Sequence, residues 1–298
     1  MYKLRDWIDI KKLDIIYLME NPHPKAIDII KEIGYKDDEI IYISANPNAI
    51  DIIEDNIDKI NWNYFTCNTN IKAIDIIERN LNKIGDWYYL SKNPNALRIL
   101  KRYPDKINWN SLNKNPNAID FLKEFSEKIN YNYLSENNSN GAIKILEENQ
   151  EKINWNNLSI NPYAIKLLEG NKEKINWNNL SFNTNAIKLL EGNKDKINWK
   201  LLSSNENGIK LLEENREKID WRVISSNPNA IKLLEENQEK IDWKRLSINP
   251  AIFIYDYEKM RKSNEDFDEE IIKEVMRPKR LMKMIEKYGD EYIDILFG

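Results

Sequence analysis

One phrase, Ile-Asn-Trp-x-x-Leu-Ser-x-Asn-Pro-x-Ala-Ile-x-Leu-Leu-Glu, recurs through most of this chain, and its tryptophans Trp155, Trp177, Trp199, Trp221 and Trp243 stand 22 residues apart. A fixed period of this length marks a repeat architecture, in which each unit packs on its neighbours. This constraint outweighs length. A single core stops growing at roughly 250–300 residues, so 298 residues would otherwise suggest two domains. A stack of repeats lengthens without a boundary.

Aligned on the position of Trp177, the units begin at Ile15, Ile40, Trp62, Trp87, Trp109, Tyr131, Trp155, Trp177, Trp199, Trp221 and Trp243, eleven in all. The first and last are atypical, as terminal repeats are expected to be. Insertions fall at turns: His23-Pro24-Lys25, Ile71-Lys72, Gly85 and the residues around Ser139-Asn140.

Each unit predicts two short helices. In the unit of Trp177, Asn176 is an N-cap for a helix to about Phe182, and Asn183 caps a second carrying Ala186, Ile187, Leu189 and Leu190. In seven units the residue after the second Asn is Pro, and Asn at N-cap with Pro at N1 is a strong helix start. The second helix either ends in a left-handed turn at Gly192-Asn193 or continues to Ile197. Such short helices are marginal alone in water, so the Trp, Leu, Ala and Ile positions are expected to bury against adjacent units. The expected fold is all-α: a solenoid of about eleven two-helix repeats over 15–252, an N-terminal cap over 1–14, and a helical C-terminal cap over 253–298. The tail predicts a helix from Asp266 to Met276 and another from Pro278. Helices packed about 8–10 Å apart would make the repeats a curved rod roughly 100 Å long.

The opening Leu4-Arg5-Asp6-Trp7-Ile8 with Lys12-Leu13-Asp14, the repeated phrase, and the closing Asn249-Pro250-Ala251-Ile252-Phe253 with Arg277-Pro278-Lys279-Arg280 together resemble repeat proteins of giant DNA viruses. The resemblance implies a viral, intracellular repeat protein and carries over no functional residue. The first and third units depart from the phrase: Ile15 replaces Trp, and Phe65-Thr66 replaces Leu-Ser.

Chemistry is sparse. One histidine, His23, and one cysteine, Cys67, give neither a His-Cys metal cluster nor a His-based nucleophile triad. There is no phosphate-binding glycine loop, so no enzyme activity, cofactor or metal is expected. The single Cys fits a reducing compartment, and the chain shows no signal core or membrane span. His23, between two prolines, reads as a solvated turn residue.

Four sets of positions could carry binding. The tryptophans could stack on bases, but their regularity with the Leu three residues on favours core. Lys106, Lys128, Lys152, Lys174, Lys196, Lys218 and Lys240 each follow an Asp or Glu. That edge compensates itself, whereas a phosphate groove needs unpaired positive charge. The asparagines serve mainly as caps. The pair after each Trp varies on a constant frame: Asn156-Asn157, Asn178-Asn179, Lys200-Leu201, Arg222-Val223 and Lys244-Arg245. This variation is surface drift or a surface that writes specificity. The candidate partner-binding residues are therefore Asn156, Asn157, Asn178, Asn179, Lys200, Arg222, Lys244 and Arg245. The expected function is a non-enzymatic protein-binding scaffold or adaptor of a large DNA virus, within the host cytoplasm or virion. The rivals are a virion structural component and a single-stranded RNA reader, though the cancelling charges argue against nucleic acid.

Overall fold

In the unit of Trp177, the side chain of Asn176 accepts the N–H of Asn179 at 3.0 Å and starts the helix Trp177–Leu180. Asn183 then accepts the N–H of Asn185 at 3.0 Å, and that turn delivers the chain to a second helix, Ile187–Glu191. In the units of Trp155 and Trp221 the same turn is a 3-10 helix, Pro162–Ala164 and Pro228–Ala230, with Pro in the first turn. The first helix is shorter than expected because Asn183 bends the chain immediately after it. These are elements of the computed structural model, which describes residues 1–263 with 282 and 283. The described residues are mostly helical, in a repeat-like order, with two three-residue strands among them. The tail helix expected at Asp266 to Met276 lies outside the described residues, as does nearly all of the one after Pro278.

The second helix ends in neither expected way. Gly192 has φ −78° and Asn193 φ −141°, so no left-handed residue closes it. Among the described residues Gly34 alone has positive φ, at 82°. The Asn193 amide donates instead to the Leu189 carbonyl at 2.9 Å. That carbonyl is the one a left-handed closing turn would otherwise serve. A separate 3-10 turn, Lys194–Lys196, follows and leads to buried Ile197.

The core of this unit is Leu180, Ser181, Asn183, Ala186 and Leu190, each at most 1 % exposed. Trp177 is half-buried at its edge, which corrects the expectation that the tryptophans form the core. The buried asparagine is the link between units. Its amide donates twice, to the carbonyls of the residues two before it and at its own position in the preceding unit. Asn183 donates to Ser159 at 3.0 Å and to Asn161 at 2.9 Å, and Asn205 repeats this on Ser181 and Asn183. The series runs through Asn46, Asn68, Asn93, Asn115, Asn137, Asn161, Asn227 and Asn249. The serine hydroxyl two residues earlier forms a second link. Ser159 accepts the N–H of Asn176, and Ser181 that of Asn198, at 3.0 and 2.9 Å.

Both links pass from the last unit to the first. Asn21 donates to the carbonyls of Ser247 at 2.8 Å and Asn249 at 3.1 Å. The N–H of Asp14 donates to the Ser247 hydroxyl at 2.9 Å. The helix Ile15–Met19 packs on Trp243–Ile248 as other units pack on their successors. The repeats return on themselves, which corrects the expected open rod. Residues Ile10–Lys12 are the 3-10 turn of an ordinary unit, so the repeat pattern begins before Ile15.

The chain divides into two units, Asp6–Ile252 and, separately, Met1–Arg5 with the residues from Phe253 on. In the latter, β1 (Tyr2–Leu4) pairs antiparallel with β2 (Phe253–Tyr255), where the sequence predicts a helical cap. Tyr2 stacks on Tyr255 at 4.7 Å.

The closure makes a quantitative demand. Asn21→Ala should destabilise the protein by as much as Asn183→Ala, on the order of 1–3 kcal/mol for the buried carbonyls left unpaired. An open chain would leave Asn21 with no partner unit, and its substitution would then be nearly silent in chemical denaturation.

Candidate binding face

Each face of a unit follows from its place in the helix that begins at the Trp position. The Trp itself lies beneath the lysine of the 3-10 turn that leads out of its own unit. Lys174 sits 4.6 Å from the ring centre of Trp155, Lys196 4.4 Å from Trp177, Lys218 4.6 Å from Trp199 and Lys240 4.5 Å from Trp221. Lys12 covers Trp243 at 4.7 Å, so this row also crosses the closure. Such contacts contribute about 0.5–1 kcal/mol each at exposed sites. They occupy the ring faces that a stacked base would need. The lysine row thus serves the tryptophans, a role that sequence reasoning missed although Lys and Trp recur at constant spacing. Acidic neighbours are only loosely engaged, as in Lys152–Glu151 at 3.9 Å and Lys240–Glu239 at 4.0 Å.

The residue after each Trp faces the helix cap of the next unit. Asn176 donates to the side chain of Asn156 at 3.0 Å, and Asn198 to that of Asn178 at 3.3 Å. Arg222 approaches Asp242 at 3.7 Å, and Lys244 approaches Asp14 at 3.9 Å across the closure. From the Asn130 cap on, an Asn cap is faced by Asn and an Asp cap by a basic residue, as Lys200 stands one unit before Asp220; the earlier caps Asn61 and Asn108 face Ile41 and Tyr88 instead. In the later units variation in this row follows the neighbouring cap. Asn157 and Asn179 are half-buried and bond the preceding unit, at the Asn132 and Asn156 carbonyls, 3.0 and 2.9 Å. Arg245 is half-buried, its N–H donating to Asp242 at 3.1 Å. The candidate residues are therefore strung along successive units and largely engaged in stacking.

In the early units the row that later carries Asn157, Asn179 and Arg245 opens into a groove. The second residue after the start of a unit is tyrosine in five of the first six: Tyr17, Tyr42, Tyr64, Tyr89 and Tyr133. Tyr42 and Tyr64, 42 % and 51 % exposed, line a groove of about 400 Å³ with Pro22, Pro47, Ile41 and Ala45, and Glu20 lies at its edge. The rings of Tyr64 and Tyr89 continue the row, 6.1 Å apart. Ser111 breaks it, buried, with its hydroxyl unpartnered. On the equivalent face of later units Ile160 and Phe182 line a smaller groove of about 260 Å³. The repeated Tyr was visible in the sequence. Its importance was hidden because the regular Trp dominates the pattern.

Cys67 and His23 depart from their ordinary values. Burial pushes the Cys67 thiol up, with a smaller opposing effect from Lys92. Burial lowers the pKa of His23. His23 is a helix cap rather than a free turn residue, since its Nδ1 accepts the N–H of Lys25 at 3.1 Å before Pro24–Ile33. Among the described residues no group of His, Cys, Asp and Glu could hold a metal ion, and no helix is long and apolar enough to cross a membrane. Comparisons with protein-family profiles, curated proteins and solved structures gave no match.

The His23 cap needs the neutral imidazole, whose lone pair accepts the bond. Its folded pKa is lowered, so stability is complete above the ordinary value of about 6.5 and falls as pH drops through the lower folded value. Nuclear magnetic resonance should place the His23 midpoint below the ordinary value. His23→Asn, which caps without titrating, should remove this part of the acid sensitivity from thermal melts.

Proposed function

We propose that this chain is a non-enzymatic scaffold that binds a protein partner. In this reading it is a solenoid of eleven 22-residue two-helix units joined head to tail. One observation carries the reading. The buried Asn bonds recur in unit after unit and across the closure, while the exposed tyrosine row, free of that framework, forms an apolar groove. Rigid repeats with one open aromatic row suit recognition, since tyrosine supplies large contact area at low entropic cost.

Some neighbouring Trp-position helices pack directly, as in Trp155–Ile160 on Trp177–Leu180 and Ile15–Met19 on Trp243–Ile248. An intracellular, viral setting is proposed from the resemblance in the repeat phrase and from the single Cys67.

Immobilised full-length protein should retain a partner from its native host cells. Tyr42→Ala with Tyr64→Ala should abolish retention, whereas Lys200→Ala should not. Submicromolar, salt-sensitive binding of single-stranded RNA, unaffected by the tyrosine changes, would overturn the reading, because the charge rows cancel and the tryptophan faces carry lysines.

A further inference from the structure

We propose that the groove between Tyr42 and Tyr64 receives a proline-rich segment in the polyproline II conformation, with a basic residue of that segment against Glu20. The inference rests on the scaffold reading and names its partner class.

The groove selects by shape and by what its walls can bond. Tyr42, Tyr64, Pro22, Pro47 and Ile41 make it apolar, and its about 400 Å³ accommodates a few side chains rather than the roughly 10 Å width of a helix. A β-strand ligand would need an open backbone edge. The walls are helices and capped turns, and the one buried amide present, Asn46, already donates to Met19 and Asn21 at 2.8 and 3.0 Å and accepts from Asn48 at 3.0 Å. What remains is aromatic faces and tyrosine hydroxyls.

A polyproline II segment matches that remainder. It has three residues per turn and no internal hydrogen bonds, so its carbonyls are open to hydroxyl donors. Its pyrrolidine rings present flat apolar surface to aromatic rings. Its φ is set in advance, so little conformational entropy is lost on binding. Charge gives the direction. Of the residues that line the groove, Glu20 is the charged one, and it is exposed. A basic residue therefore belongs at the Glu20 end.

The test uses the full-length chain and a synthetic peptide with a Pro-Pro-x-Pro run and an arginine at one end, followed by calorimetry. Saturable binding is expected, weakened about tenfold or more by Tyr64→Ala and retained in Phe182→Ala of the second groove. Circular dichroism checks that each variant is folded. Glu20→Lys should weaken the arginine peptide and favour one carrying glutamate instead. Equal binding of a peptide with alanine for proline, unchanged binding to folded Tyr64→Ala, or displacement of the peptide by a single-stranded oligonucleotide would each overturn the inference. If the peptide fails while partner retention still depends on Tyr42 and Tyr64, proline recognition falls and the scaffold reading stands.

Discussion

The rest of the structure depends on an asparagine buried between adjacent units. Asn183 is 1 % exposed, yet its side chain makes three hydrogen bonds: two donated to the preceding unit and one accepted within its own turn. A buried amide left unpaired would cost several kcal/mol, so the register between units is tightly specified. A slip of one residue would strand both N–H groups. Leu180, Ala186 and Leu190 supply the apolar burial, but apolar contact alone is non-directional. The amide supplies the direction.

The same geometry accounts for the closure. Each unit offers two carbonyls forward, most add a serine hydroxyl, and each takes the like from behind. Unit eleven offers Ser247 and Asn249, and unit one takes them through Asn21 and Asp14. Lys12 on Trp243 and Lys244 near Asp14 extend the outer rows across the same joint. The first unit lacks Trp and carries an insertion, but its Asn21 and Asp14 keep the two contacts that matter to a neighbour. It is atypical in its loop without being an end.

The surface rows differ in what constrains them. The lysines rest on tryptophan faces, and from Asn110 on the residue after the Trp position is matched to the next cap, Asn to Asn and basic to Asp. Those rows vary little, or vary in step, because they serve the stack. The tyrosine row is mixed: Tyr133 lies beneath Lys114 at 5.0 Å, and Tyr17 and Tyr89 are half-buried. Tyr42 and Tyr64 remain exposed beside the prolines of their own and adjacent turns, and an exposed aromatic row on a rigid frame is the part of this molecule with most capacity for recognition.

The sequence by itself determined the period, the mostly helical content and the Asn caps, because these depend on local chemistry within one unit. It also contained the pairing of Arg222 with Asp242, visible only once the two are known to be neighbours. Three things were decided by tertiary structure. Trp177 lies at the edge of the core beneath Lys196 because the small Ala186 and Ser181 let backbones approach too closely to admit an indole between them. The helix from Ile187 closes through the Asn193 side chain rather than a left-handed residue, since that amide reaches the Leu189 carbonyl first. Finally, the return of unit eleven to unit one reflects a small rotation per unit, summed over the series. No single repeat encodes that sum, so the 22-residue phrase predicts a stack equally well whether it ends in solvent or on its own beginning.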